Sequence, residues 1–263
     1  MDLGIKGKVA LVAAASTGLG RAVAEELAAE GASLIICARN QERLTQTATS
    51  IAGTTGVDVL AMATDVTVSA EIAKLVSAGL KKFGRIDILV TNAGGPPAGR
   101  FEQLSSEQWE AATRLTLFSA IEFARHVLPG MKERRWGRIL NITSIAVKQP
   151  VENLMLSNSL RAAVTGFART LANEVAAEGI TVNNILPGYT RTERVEELAQ
   201  MMAQRKGVSA REFRASWESE IPMRRLGEPR EFAALAAFLV SERAAYITGT
   251  SIQVDGGWIK SLF

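Results

Sequence analysis

The stretch that most constrains this chain runs from Lys8 to Arg21, KVALVAAASTGLGR. Val9 to Ala13 is a short apolar run of the length of a buried strand. Ala14, Ala15, Ser16 and Thr17 carry only small side chains, and Gly18-Leu19-Gly20 opens a helical pattern continued by Val23, Leu27 and Ala28. A strand that turns into a helix over small residues brings bare backbone against whatever lies on the turn. The first N–H groups of the helix lack partners of their own and favour a phosphate. Ala14, Ser16, Thr17, Gly18, Leu19 and Gly20 are therefore candidate dinucleotide-binding residues. A tight turn without a ligand is the alternative on these residues alone, because Ala14 stands where the pattern's first glycine is expected.

Strand and helix patterns then alternate along the chain, which predicts a parallel α/β sheet covered on both faces. The expected strands are 33–38, 57–63, 86–90, 138–142, 180–186 and 250–254. The expected helices are 42–51, ended near Gly53, then 69–83, 106–127, 153–177 and 231–240. Ser105 or Ser106 caps the third of these, and Pro129-Gly130 closes it. Residues 190–229 break the rhythm with a polar, partly helical insertion carrying Arg191, Arg194, Met201, Met202, Arg205, Lys206 and Trp217. An insertion after the carboxyl end of a strand is where a substrate lid belongs, and a surface hairpin is the alternative.

Composition narrows the function. A length of 263 residues suits one α/β domain, taken here as 1–263. No apolar run reaches the ~18 residues of a membrane span, and MDLGIKGKVA does not read as a signal peptide. The single Cys37 fits a reducing compartment, so a cytoplasmic location is expected. Cys37 lies in an apolar run and reads as a buried, inert thiol. The net charge of +3 is scattered, with small clusters at 132–135 and 224–225, and forms no nucleic-acid-binding stripe. One histidine, His126, and one cysteine argue against a metal site.

The motifs together resemble the short-chain dehydrogenase/reductase family over almost the full length. The resemblance rests on residues 13–20, Asp65-Val66, Asn92-Ala93-Gly94, residues 141–144, Leu186-Pro187-Gly188 and residues 247–257, in family order and spacing. It implies a single Rossmann-type, doubly wound sheet of about seven strands, a nicotinamide cofactor across its carboxyl edge, and a homotetramer or dimer built through helices 106–128 and 153–177. It places Asp65 at the adenine amine with Val66 beside the ring. Asn92, Ala93 and Gly94 run past the adenosine ribose, and Pro187, Gly188 and Thr192 lie near the nicotinamide. At the end of the second strand, an acidic residue would hold the ribose 2′-hydroxyl of NAD. Here that position is the neutral Ala38, followed by Arg39. A guanidinium pairs well with a 2′-phosphate, so NADP(H) is expected over NAD(H).

The catalytic positions depart from the family, whose reaction uses an Asn, a Ser and a Tyr-x-x-x-Lys pair. Ser144 matches the serine. Ser157 stands where the tyrosine belongs, Arg161 where the lysine belongs, and Thr116 at the asparagine position. A serine hydroxyl is a far weaker acid than a tyrosine beside an ammonium. Arg161 keeps the charge one helical turn from Ser157, yet does not act as an acid near neutral pH. It remains able to bond the nicotinamide ribose or to hold an oxyanion.

Three outcomes stay open. The chain is a 3-oxoacyl reductase-like enzyme on a small carbonyl or alcohol, with Ser144, Ser157 and a water relaying the proton. Or it reduces a C=C bond conjugated to a carbonyl. Or it is an inactive cofactor-binding scaffold. Tyr189 is a candidate replacement acid, and Lys148 and Glu152 are lesser ones.

Overall fold

The apolar runs become strands that are buried on both faces, and the amphipathic runs cover them. The computed structural model describes residues 2–262. In chain order these give β1 (Val9–Val12), α1 (Gly18–Ala29), β2 (Ser33–Ala38), α2 (Gln41–Thr55), β3 (Val59–Ala63), α3 (Ser69–Phe83) and β4 (Ile88–Thr91). Then follow α4 (Ser106–Thr113), α5 (Ser119–Glu133), β5 (Gly137–Ile142), α6 (Met155–Val175), β6 (Ile180–Pro187), α7 (Glu193–Lys206), α8 (Ala210–Glu220), α9 (Pro229–Leu239) and β7 (Ser251–Val254). The sheet has seven strands in the order β3-β2-β1-β4-β5-β6-β7, and every pairing is parallel. This is the doubly wound architecture expected from the sequence. Among the described residues no helix is long and apolar enough to cross a membrane.

Alternate strand residues face opposite cores. Ala10, Val12, Leu34, Ile36, Ile88 and Val90 pack with Val23, Leu27 and Phe232 from α1 and α9 on one face. Val9, Leu11, Ile35, Cys37 and Leu89 pack with Ile72, Leu75, Phe123 and Leu171 from α3, α5 and α6 on the other. At the carboxyl side, a buried polar chain ties four strands in register. Thr91 Oγ1 donates to Asn141 Oδ1 (2.7 Å), Asn141 Nδ2 to Asn184 Oδ1 (3.2 Å), and Asn184 Nδ2 to Ser251 Oγ (3.1 Å). Satisfied buried amides of this kind specify one alignment of the strands on which the site is built.

Three element boundaries differ from the sequence expectation by more than two residues. α2 passes Gly53 and ends at Gly56, which takes the left-handed conformation (φ +72°) and donates its N–H to Ala52 O. The run from Ser106 is not one regular helix. Ser105 caps α4, and residues 114–118 form a π-helical turn before α5. α5 then continues through Pro129 and Gly130 to Glu133. Proline removes the bond to the carbonyl four residues back, and that residue, Arg125, is exposed on the solvent side of the helix, where a freed oxygen costs least. The fully buried Met131 anchors the extra turn.

Candidate active site

Chain order reverses between β1 and β4, so the crevice of the sheet opens at their carboxyl ends. The turn after β1 is held from both sides, with Ala13 N–H donating to Val90 O and Ala15 N–H to Cys37 O, each at 3.0 Å. Thr47 Oγ1 on α2 donates to Ser16 O (3.1 Å). Ala14 makes the bend with φ +50°, a left-handed conformation costly for a residue with a Cβ. Gly18 follows at φ +59°. A Cβ on Gly20 would lie 2.3 Å from Ala14 O and 2.9 Å from Asn92 Nδ2, so only glycine lets α1 start this close to the turn. Thr17 precedes α1 without capping it by its side chain. The helix N-terminus thus presents free N–H groups over bare backbone, which fits a dinucleotide diphosphate.

The other expected cofactor residues gather around this turn. Asn92 reaches it directly, and Ala93 continues along the crevice floor. Gly94 has open space where a Cβ would stand. Thr192 lies across from Gly18, its methyl 3.7 Å from where a Cβ would stand, and its Oγ1 caps α7 by accepting from Val195 N–H. At the end of β6, Pro187 pairs with Val254, and a Cβ on Gly188 would come within 2.7 Å of Asp255 Cα. Arg39, exposed at the end of β2, forms no hydrogen bond or ion pair among the described residues. Asp65 accepts from the N–H and hydroxyl of Thr67, which together hold its carboxyl below the usual range, with the Arg39 charge adding to this. Val66 is half-buried against the second core.

The catalytic positions come together around the end of β5. Ser157 and Arg161 share one face of α6, and Arg161 Nε donates to Ser157 Oγ at 3.1 Å. Arg161 Nη1 donates to Ile142 O (3.0 Å) and Thr143 O (2.8 Å). The guanidinium is therefore locked to the strand end that delivers Ser144. Ser144 caps a single 3-10 turn, its Oγ accepting from Ala146 N–H at 3.1 Å. Burial, reinforced by the nearby Arg194 charge, pushes Arg161 down to about 10. It remains a cation at neutral pH.

Thr116 sits in the π-helical turn and faces the same place. It lines a cavity of about 10 Å³ with Asn92, Thr143 and Arg161, near the smallest space that holds one water. The Oγ1 atoms of Thr116 and Thr143 are buried without a partner in the chain. Thr143 lies in the 141–144 motif, but that its carbonyl accepts from Arg161 depends on the approach of α6.

The replacement acids do not fit. Tyr189 stacks on Trp217 (ring centroids 4.4 Å apart, 16° between planes) and meets Trp258 edge-on at 5.8 Å. Burial, helped by Glu220, pushes its hydroxyl up to about 12, away from a useful acid. It belongs to the core of the helical insertion, with Ala199, Ala203, Phe213 and Trp217. Lys148 turns from the crevice and donates to Gln253 Oε1 on β7 (2.7 Å). Glu152 is exposed. Cys37 is buried, which pushes its thiol up to about 12. No group of three or more His, Cys, Asp or Glu is placed to hold a metal among the described residues.

Residues 13–259 match the family model described as enoyl-(acyl carrier protein) reductase. The chain is 35% identical over 255 residues to a 3-oxoacyl-[acyl-carrier-protein] reductase of Vibrio cholerae, covering 97% of this chain and 98% of that protein. It superimposes with a TM-score of 0.95 on L-sorbose reductase from Gluconobacter frateurii, solved with NADPH and L-sorbose, at 36% identity and full coverage of both chains. YwfH, an NADPH-dependent reductase involved in bacilysin biosynthesis, matches with a TM-score of 0.93 at 30% identity, covering 97% and 99% of the two chains. With this sheet, this turn and matches of this extent, the chain belongs to the short-chain dehydrogenase/reductase family of oxidoreductases.

Proposed function

We propose that this chain is an NADP(H)-dependent oxidoreductase acting on a small carbonyl or alcohol, in which Arg161 holds the charge that develops on the substrate oxygen. NADPH in the L-sorbose reductase structure supports the cofactor. The bound cofactor supplies or accepts the hydride. The N–H groups at the start of α1 hold its diphosphate, over Ala14, Ser16, Thr17, Gly18, Leu19 and Gly20. Arg39 pairs with the 2′-phosphate. Asp65 and Val66 flank the adenine, Asn92, Ala93 and Gly94 line the ribose, and Pro187, Gly188 and Thr192 border the nicotinamide.

The observation that carries this reading is the fixed guanidinium of Arg161 beside Ser144. When hydride reaches the carbonyl carbon, negative charge moves to oxygen. A pre-positioned cation in a water-poor site lowers that barrier by several kcal/mol. Ser144 orients the oxygen through its O–H while its Oγ accepts the Ala146 N–H. Ser157 Oγ accepts from Arg161, so its O–H is free to pass a proton from water. Thr116 supports the inner wall of this site.

A second reading has its own observation. Tyr189 packs against Trp217 with its hydroxyl pushed up to about 12, and Lys148 is tied to Gln253, so neither of these candidate acids serves Ser144. Reduction of a C=C bond conjugated to a carbonyl depends least on such an acid. Ser144 and Arg161 then hold an enolate oxygen, and water protonates the carbon.

The test is titration with NADPH and NADH by nicotinamide fluorescence, on the wild type and Arg39→Ala. We expect at least tenfold tighter NADPH binding, lost in the variant. Turnover of saturated ketones and conjugated enones then separates the two readings, and no binding of either nucleotide defeats both. The half-exposed Phe118, between α4 and α5, fits an assembly face. A homotetramer or dimer through 106–128 and 153–177 is the expected result from light scattering.

A further inference from the structure

Arg194, at the start of lid helix α7, folds back over the crevice. A Cβ on Gly95 would meet its Nη2 at 3.3 Å and its Nε at 3.4 Å, so the Nε/Nη2 edge of the guanidinium lies against bare backbone just past Asn92-Ala93-Gly94. Arg161 reaches the same segment from α6, lining the small cavity with Asn92 and Ala93. Two guanidiniums thus converge on one stretch of chain. The repulsion between them is felt by Arg161, whose lowered pKa owes its second contribution to Arg194.

Neither charge has an adequate counter-ion. Arg161 bonds only neutral oxygens, from Ser157, Ile142 and Thr143. The carboxylate paired with Arg194 is Glu197, one turn further along α7, at 3.8 Å and largely exposed. A contact that long and wet stabilises little. A cation in the first turn of a helix also opposes the helix dipole. Two converging, poorly compensated cations over glycine backbone form a place prepared for an anion. The cofactor diphosphate already has donors at α1. Gly95, which the Arg194 guanidinium meets, lies three residues beyond Asn92 along the chain.

We propose that Arg194 is the substrate-recognition residue of this chain and that the substrate is an anionic carbonyl compound. Its carboxylate pairs with the Arg194 guanidinium while its reacting oxygen faces Arg161 and Ser144. This rests on the preceding reading for the reacting oxygen, and adds the substrate's class. A guanidinium fork matches a carboxylate bidentately, which a lysine does not reproduce.

The test compares acids with their neutral esters. The NADPH-loaded protein is titrated with 2-oxobutanoate, 4-oxopent-2-enoate and the methyl ester of each, following nicotinamide fluorescence and turnover. The wild type is expected to bind at least one acid tenfold or more above its ester. Arg194→Met is expected to erase that ratio, and Arg194→Lys to restore part of it. The NADPH dissociation constant should change less than twofold in both variants. Equal affinity for every acid and its ester in the wild type overturns the proposal, as does a preference that survives Arg194→Met. A large loss of NADPH affinity in Arg194→Met also overturns it, because Arg194 would then serve the cofactor diphosphate. Fluorescence reads binding without turnover, so a chain that binds acids through Arg194 yet reduces nothing upholds this proposal and defeats the preceding one.

Discussion

Replacing Arg161 with methionine separates its proposed catalytic role from its structural one. The variant loses three hydrogen bonds, to Ser157 Oγ, Ile142 O and Thr143 O. At about 1.5 kcal/mol each, the low end for bonds from a charged donor, these contribute roughly 4–5 kcal/mol. Against this stands the cost of burying the cation. Holding a buried guanidinium at about 10, well below its ordinary value, costs the folded chain about 3 kcal/mol. The net destabilisation of Arg161→Met is therefore only about 1–2 kcal/mol. Activity should respond far more. Removing one pre-positioned oxyanion donor costs about 100- to 1,000-fold in kcat. Urea unfolding gives the first quantity, and NADPH consumption under saturating cofactor gives the second. If kcat/KM stays within about threefold of wild type while the unfolding midpoint shifts as expected, Arg161 is a staple between α6 and β5 and the oxyanion role fails.

Three further outcomes follow from the same geometry. As pH rises through about 10, Arg161 loses its proton, so kcat/KM should fall there in the wild type and show no such limb in Arg161→Met. The linked stability has the opposite sign: above about 10 the folded chain releases a proton that the unfolded chain, with its higher ordinary guanidinium value, still holds, so this group's contribution rises with pH and the dependence vanishes in the variant. Gly20→Ala sets a methyl against Ala14 O at 2.3 Å, which should cost about 1–3 kcal/mol in thermal unfolding and weaken NADPH binding at least tenfold by fluorescence titration. Thr116→Val removes a buried hydroxyl without a partner in the chain and should raise unfolding stability by about 1 kcal/mol, with kcat reduced less than tenfold; a loss of stability would mean that the hydroxyl is hydrogen-bonded through water.

The parallel sheet, the small-residue turn after β1 and the residues at the expected catalytic positions are legible in the sequence alone. These are local properties. Apolar runs such as Val9–Val12 and Ile88–Thr91 specify strands, and Gly18-Leu19-Gly20 specifies a close strand–helix turn. Ser157 and Arg161 meet because four residues make about one helical turn. The sequence also showed that a tyrosine and a lysine were missing. It did not reveal what the replacements bond to, because Ile142 and Thr143 lie nearly twenty residues away on another element. Pro129 predicts the end of α5, yet the helix runs on to Glu133, because solvent exposure, a tertiary property, decides whether a broken helix bond matters. Tyr189 looked available next to Pro187-Gly188, and only the folded lid stacks it on Trp217. Arg194 was one arginine among several in a polar insertion. Only the return of α7 over Gly95 sets its charge beside that of Arg161, and charges act through distance in space rather than along the chain.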